Sequence, residues 1–167
     1  MKHIYLLLTS LLIGCSSSPQ IESFELHYQD VFETYDYYRQ EYKKQLCGDS
    51  GKYSEKLELS TIQIGRIIHE ADKINFFQLP NSIEHRKKVA PDSSEDIERI
   101  EICAPCPTKT LYLKIGDDSH TVSWSCKCSN FNEPTPKPLK ALVESVEDSI
   151  QASPAYKKAP ESFCGLR

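Results

Sequence analysis

Between Ser23 and Tyr28, apolar Phe24, Leu26 and Tyr28 alternate with Glu25 and His27, the two-residue period of a strand buried on one side. The next stretch satisfies two periods at once. Val31, Tyr35, Tyr38, Tyr42 and Leu46 are spaced for one helix face, whereas the tyrosine content and the alternation of Tyr38, Gln40 and Tyr42 suit a strand, and strand is the preferred reading over residues 31–46. Gly48 to Gly51 marks a turn, after which alternation resumes from Tyr53 to Leu59 with Tyr53, Leu57 and Leu59 on one face. Ser60 followed by Gln63 is a capping-box signature. Behind it Ile64, Ile67, Ile68, Ala71 and Ile74 make the apolar stripe of a helix that Pro80 is expected to end.

Residues Asn81 to Glu95 carry charge without periodicity and read as a solvated loop, and alternation returns over Ile97 to Ile102. Thr108 to Ile115 and His120 to Cys128 form the best hairpin in the chain, around Gly116, Asp117 and Asp118. If Asp117 and Asp118 are the turn, Leu113 faces Val122 and Leu111 faces Trp124. Pro134, Pro136 and Pro138 lead into a last helix with Leu139, Leu142, Val143, Val146 and Ile150 on one face, which Pro154 is expected to stop; Ala155 to Arg167 show no period. Strands, a helix, strands and a helix in that order predict an α+β domain, an antiparallel sheet of about five to six strands with two helices packed on one face.

The N-terminus follows a different rule. Lys2 precedes an apolar run from Ile4 to Ile13, interrupted only by Thr9 and Ser10, which closes on Leu12-Ile13-Gly14-Cys15. A run of about ten residues is too short to span a hydrocarbon core of roughly 30 Å, so it reads as a cleaved targeting segment. The tetrad resembles the lipobox of bacterial lipoproteins, whose cysteine is acylated on sulfur and becomes the new N-terminus. That resemblance implies a signal peptide over residues 1–14, a lipidated Ser- and Pro-containing tether over 15–20, a single domain over 21–152 and a tail over 153–167, with Cys15 as the lipidation site. It also implies a cell-envelope location with membrane contact through the N-terminal lipid. Ser16 after Cys15 resembles the sorting pattern that directs such chains to the outer membrane of a diderm cell, facing the periplasm. The stretch from Leu57 to Leu79, including Ile74-Asn75-Phe76-Phe77-Gln78-Leu79, followed by the later hairpin, looks like small envelope lipoproteins built on a strand, helix and hairpin; this likeness supplies no catalytic residues.

Loss of 14 of the 167 residues leaves 153, enough for one core, with 19 basic against 24 acidic side chains. An acidic balance weighs against nucleic acid, which needs a basic patch, and gives no support to electrostatic docking on acidic lipid. With Cys15 committed to lipid, six cysteines remain: Cys47, Cys103, Cys106, Cys126, Cys128 and Cys164. An even set in an oxidising compartment points to disulfides. Cys103-Ala-Pro-Cys106 and Cys126-Lys-Cys128 lie at the open end of one hairpin. Antiparallel nesting favours Cys106 with Cys126 and Cys103 with Cys128, leaving Cys47 for Cys164, although Pro105 and Pro107 break the pleat, so strand parity does not settle the pairing. Two other readings stay open. Four thiolates at this spacing resemble a zinc knuckle, and Cys103-Ala-Pro-Cys106 resembles the thioredoxin active-site motif, though Pro107 and a β-rich segment follow where that family has a helix N-terminus.

The remaining candidates have plainer explanations. His69 borders the apolar stripe, His85 belongs to the charged loop, and His120 follows a turn, where it is expected to be solvated. Asp117 and Asp118 lack the ligand spacing of a calcium loop. Tyr35, Tyr37, Tyr38 and Tyr42 are expected chiefly as sheet packing, with an exposed recognition face as the alternative. Motifs for nucleotides, dinucleotides, nucleophilic serine or catalytic zinc are absent from the sequence, and no cofactor is expected. The expectation is a non-catalytic binding or assembly module with an envelope protein as partner; the alternative is a thiol-disulfide redox protein using Cys103 and Cys106. Peptide mapping of the non-reduced protein is expected to recover Cys106 with Cys126, Cys103 with Cys128 and Cys47 with Cys164. A Cys103 to Cys106 bond, or free thiols at Cys126 and Cys128, would overturn that pairing.

Overall fold

Alternation along the first strand translates directly into a two-sided sheet. In the computed structural model, which describes residues 23–47, 51–83, 108–125, 135–162 and 164, strand β1 (Phe24–Gln29) buries Phe24, Leu26 and Tyr28 and turns Glu25, His27 and Gln29 to the other side. Strands β2 (Glu33–Asp36), β3 (Glu41–Gln45) and β4 (Lys52–Lys56) continue from it as an antiparallel meander. On the other flank β1 pairs antiparallel with β6 (Thr108–Ile115), which turns back into β7 (Asp118–Ser125). The two-residue β5 (Ser82–Ile83) pairs parallel with β7, giving the order β4-β3-β2-β1-β6-β7-β5.

Two helices cover the apolar face. Helix α1 (Thr61–Lys73) begins at a complete capping box, in which the Ser60 hydroxyl accepts from the Gln63 amide and the Gln63 side chain accepts from the Ser60 amide. It buries Ile64, Ile67 and Ala71. Helix α2 (Lys140–Gln151) is entered through a single 3₁₀ turn over Lys137–Leu139 and buries Leu142, Val143, Val146 and Ile150. Small Ser145 and Ser149 are also buried on α2, and Gln63 Nε2 donates to the Ser149 carbonyl at 3.2 Å, tying the two helices together. The core runs from Tyr35 and Tyr42, opposed on β2 and β3, through Leu26 and Leu113, opposed on β1 and β6, to Val122 and Trp124 on β7. Each buried leucine or valine of this set contributes about 1.5–3 kcal/mol relative to exposure.

The opposite face is polar. Lys114 lies opposite Glu25 with a 2.8 Å ion pair, His27 opposite Asp36 at 3.9 Å, and Thr110 opposite Ser123 with their hydroxyls 3.3 Å apart. The Glu25 carboxylate holds the Lys114 ammonium above its ordinary value.

The α+β architecture matches expectation, with details that differ for physical reasons. Among the described residues the sheet has seven strands and is mixed, because the short β5 joins its far edge in parallel. Residues 31–46 form strands, as the tyrosine content suggested, but Tyr37 to Gln40 are a turn in which Gln40 takes φ 51°. The β6–β7 turn is Gly116–Asp117, so Leu111 faces Val122 and Leu113 faces His120, two residues from the expected register. Gly116 decides this, since at φ 62° it supplies the left-handed conformation a tight hairpin needs, and a shift of two leaves every side chain on its expected face. Helix α1 ends at Lys73 rather than near Pro80, because Asn75 at φ 51° turns the chain into a 3₁₀ segment over Phe76–Gln78. Pro154 starts an element instead of stopping one: it occupies the first turn of α3 (Pro154–Lys158), capped by Ser153, where its missing amide costs nothing. Ala155 of that helix is buried in the core. The strand expected over Ile97–Ile102 lies outside the described residues.

Urea unfolding of Ser60→Ala is expected to show a loss of about 1 kcal/mol with an unchanged m-value, and of Ile67→Ala a loss of about 2–5 kcal/mol. Equal losses at the two positions would disprove the division between cap and core.

Candidate functional site

Strand β1 runs out at Gln29, and beyond it the chain must turn into β2 in a region the helices only partly cover. Asp30 makes that turn, its carboxylate accepting from the Val31 amide at 2.6 Å. Two open depressions meet there, of about 380 and about 340 Å³, sharing Asp30 and Glu33 as walls. Glu147 and Ile150 on α2, Tyr156 on α3, and Lys109 at the start of β6 line the second; Phe32, Lys44, Glu161 and Ser162 line the first. The result is one cleft between the end of the sheet and the C-terminal helices.

Its polar groups are organised rather than scattered. Tyr28, buried on β1, donates its hydroxyl to the Glu147 carboxylate, a bond between strand and helix across 119 residues of sequence. Burial, and then that carboxylate, push the Tyr28 phenol far above its ordinary value, so it stays a donor. Lys109 Nζ lies 3.0 Å from Asp30 Oδ1. Lys44 Nζ lies 3.9 Å from Glu33 and 5.6 Å from the centre of the Tyr156 ring, a cation held between a carboxylate and an aromatic face. Burial raises the Glu33 carboxyl above the usual carboxylate range, opposed by the Tyr42 hydroxyl and the Lys44 ammonium. Tyr42 is fully buried beside it, its phenol raised by burial and by Glu33. The Tyr42 hydroxyl faces Glu33 without reaching ordinary hydrogen-bond geometry, and among the described residues it has no hydrogen-bond partner.

Four carboxyl groups thus face two ammonium groups and the rings of Tyr28, Phe32 and Tyr156. Such a lining suits a cationic guest with an apolar stem, because carboxylates and aromatic faces both attract an ammonium or guanidinium. Among the described residues no three His, Cys, Asp or Glu side chains are grouped to hold a metal ion.

A cysteine pair frames this cleft. Cys47, at φ 58° in the β3–β4 connection, and Cys164 lie at disulfide distance with their Cα atoms 5.1 Å apart. Ser162 donates to the Gln45 carbonyl at 2.7 Å, so the segment that carries Glu161 and Ser162 is laid against the end of β3. Cys15, Cys103, Cys106, Cys126 and Cys128 lie outside the described residues, as does His85. His69 is exposed on α1. His120 departs from expectation: it is half-buried, with its ring 5.5 Å from Phe76 and Nε2 2.8 Å from the Leu79 carbonyl. A carbonyl can only accept, so the ring nitrogen donates, and the residue pins the 3₁₀ segment to β7. Of the four tyrosines, Tyr35 and Tyr42 are core, Tyr37 packs edge-on against Phe24, and Tyr38 is exposed.

Sequence reading missed Asp30, Glu33, Glu147 and the Tyr28 hydroxyl as a set. One signal was present: Glu147 directly follows Val146 of the apolar stripe of α2, a place where a carboxylate needs a partner.

An acid whose folded value is raised binds more protons folded than unfolded between the two values, so stability falls as pH climbs through that window. The loss attributable to Glu33 begins near the ordinary value of 4.5 and is complete above its raised value. Thermal midpoints of Glu33→Gln measured against pH are expected to lack this decline, gaining on the parent protein toward neutrality; parallel profiles would refute the assignment. No protein-family model matches this chain, and no curated protein sequence matches it.

Proposed function

We propose that this chain is a lipid-anchored binding module of the bacterial cell envelope, held at the membrane through Cys15 and presenting the Asp30–Glu33–Glu147 cleft to a partner. The tetrad Leu12-Ile13-Gly14-Cys15 behind an apolar run supports the anchor. The observation that carries the binding half is the convergence of Asp30, Glu33 and Glu147 with Tyr28 and Tyr156 on one open cleft. Its chemistry favours a basic segment of an envelope protein, a lysine or arginine side chain entering beside Tyr156 and exchanging places with Lys44. In a diderm cell the residue after the anchor, Ser16, supports the outer membrane as the address, with the domain in the periplasm.

Two measurements test the two halves separately. Cys15→Ser is expected to lose the acyl mass and to leave the membrane fraction; a chain that stays in that fraction without acyl mass overturns the anchor. Affinity capture from solubilised membranes with the intact lipoprotein is expected to recover a partner that Glu33→Gln with Glu147→Gln no longer retains. Equal retention by that double variant overturns the cleft as the binding surface.

A further inference from the structure

The chain enters the sheet at one end and the cleft opens at the other. Ser23 accepts from the Gly116 amide at 2.9 Å, and Tyr37 donates its amide to the Leu26 carbonyl at 2.8 Å while its ring packs 4.9 Å from Phe24. The β2–β3 turn over residues 37–40 and the β6–β7 turn therefore sit beside the entry point of the chain. Within the β2–β3 turn, Tyr38 is 84% exposed, more than any other large hydrophobic residue among those described. Arg39 next to it has a side chain 69% exposed, with Asp36 3.9 Å away. At the far end of β1, six residues or about 20 Å along the strand, Asp30 begins the cleft.

We propose that the β2–β3 turn is a bilayer-contacting surface, with Tyr38 and Arg39 at headgroup level and the cleft directed away from the membrane into the aqueous compartment. The inference rests on acylation of Cys15, and the occupant is a phospholipid surface. Seven residues lie between Cys15 and Ser23, so eight steps of chain reach at most about 29 Å. With the entry end down, the chain between them has almost no height to span. With the cleft end down, it must climb the roughly 20 Å height of β1, which uses most of its length and most of its conformational entropy. An exposed tyrosine beside an arginine is the side-chain pair that settles at a membrane interface.

Full-length acylated protein in vesicles of phosphatidylethanolamine and phosphatidylglycerol with brominated acyl chains provides the test. Tyr38→Trp and Phe32→Trp each add an indole at one end, read as a difference against the buried Trp124 of the parent. Emission from position 38 is expected to be quenched about threefold more than from position 32, because interfacial aromatic rings lie within reach of the chains. Equal quenching, or stronger quenching at position 32, overturns the orientation. Arg39→Trp serves as the second reporter should Tyr38→Trp lose its far-ultraviolet dichroism, with the same outcomes. Intact mass and vesicle flotation on the same sample separate the two ideas: an unacylated chain that fails to float removes the anchor, whereas a floating, acylated chain with equal quenching removes only the orientation.

Discussion

Leu26 of β1 stands opposite Leu113 of β6, and the pairing of these two central strands decides which side of the whole sheet is apolar. Both strands are interior, β1 flanked by β2 and β6, and β6 by β1 and β7. A slip of one residue between them would turn Phe24, Leu26 and Tyr28 toward water and bring Glu25 and His27 under the helices. Register here is therefore held by the combined burial of Leu26, Tyr28, Leu111 and Leu113 against α1 and α2, reinforced on the outer face by the Glu25–Lys114 ion pair. That ion pair is half-exposed and adds little energy, but it sits at one register only. The outer strands inherit their facing from this centre, so Tyr35 and Tyr42 are carried into the core as a directly opposed pair.

The cleft is a consequence of where that coverage stops. Helix α2 reaches the end of β1 with Glu147, and α3 starts afresh at the Ser153 cap, so this end of the sheet is covered by side chains rather than by a continuous helix. Most of the polar groups there reach a partner or line the open depressions. Tyr28 satisfies Glu147, Lys109 satisfies Asp30, and Lys44 lies between Glu33 and Tyr156. Glu33 is the least compensated of them, and the buried Tyr42 hydroxyl beside it is without a partner among the described residues.

The two ends of the sheet differ in character. The end where the chain enters carries tight turns, a glycine at φ 62° and an exposed tyrosine; the other end carries the cleft and the Cys47–Cys164 pair. Bringing Cys164 to the β3–β4 connection, 117 residues away in sequence, places Glu161 and Ser162 on the cleft wall. Two cysteines held at disulfide distance across so long a loop suit a cleft whose wall is a segment without a helix of its own, since a bond there would remove far more freedom from the unfolded chain than from the folded one.

Local chemistry alone was enough to place β1, α1, α2 and the β6–β7 hairpin on their correct faces, because a period of two or of 3.6 is a property of adjacent residues and survives any tertiary arrangement. Ser60 with Gln63 announced the start of α1 for the same reason. Signals that depend on a competing local conformation misled: Pro80 and Pro154 read as helix stops, but Asn75 had already ended one helix and Ser153 used the second proline to begin another. The hairpin register turned on which two of Gly116, Asp117 and Asp118 form the turn, a choice made by backbone dihedral angles that polarity does not encode. The cleft was hidden altogether. Tyr28 and Glu147 are separated by 119 residues and Glu33 meets Lys44 only across a strand pair, so their proximity exists once the sheet has closed and the helices have docked. Side-chain period is written in neighbouring residues, whereas a site assembled from four distant segments depends on long-range packing that no local window contains.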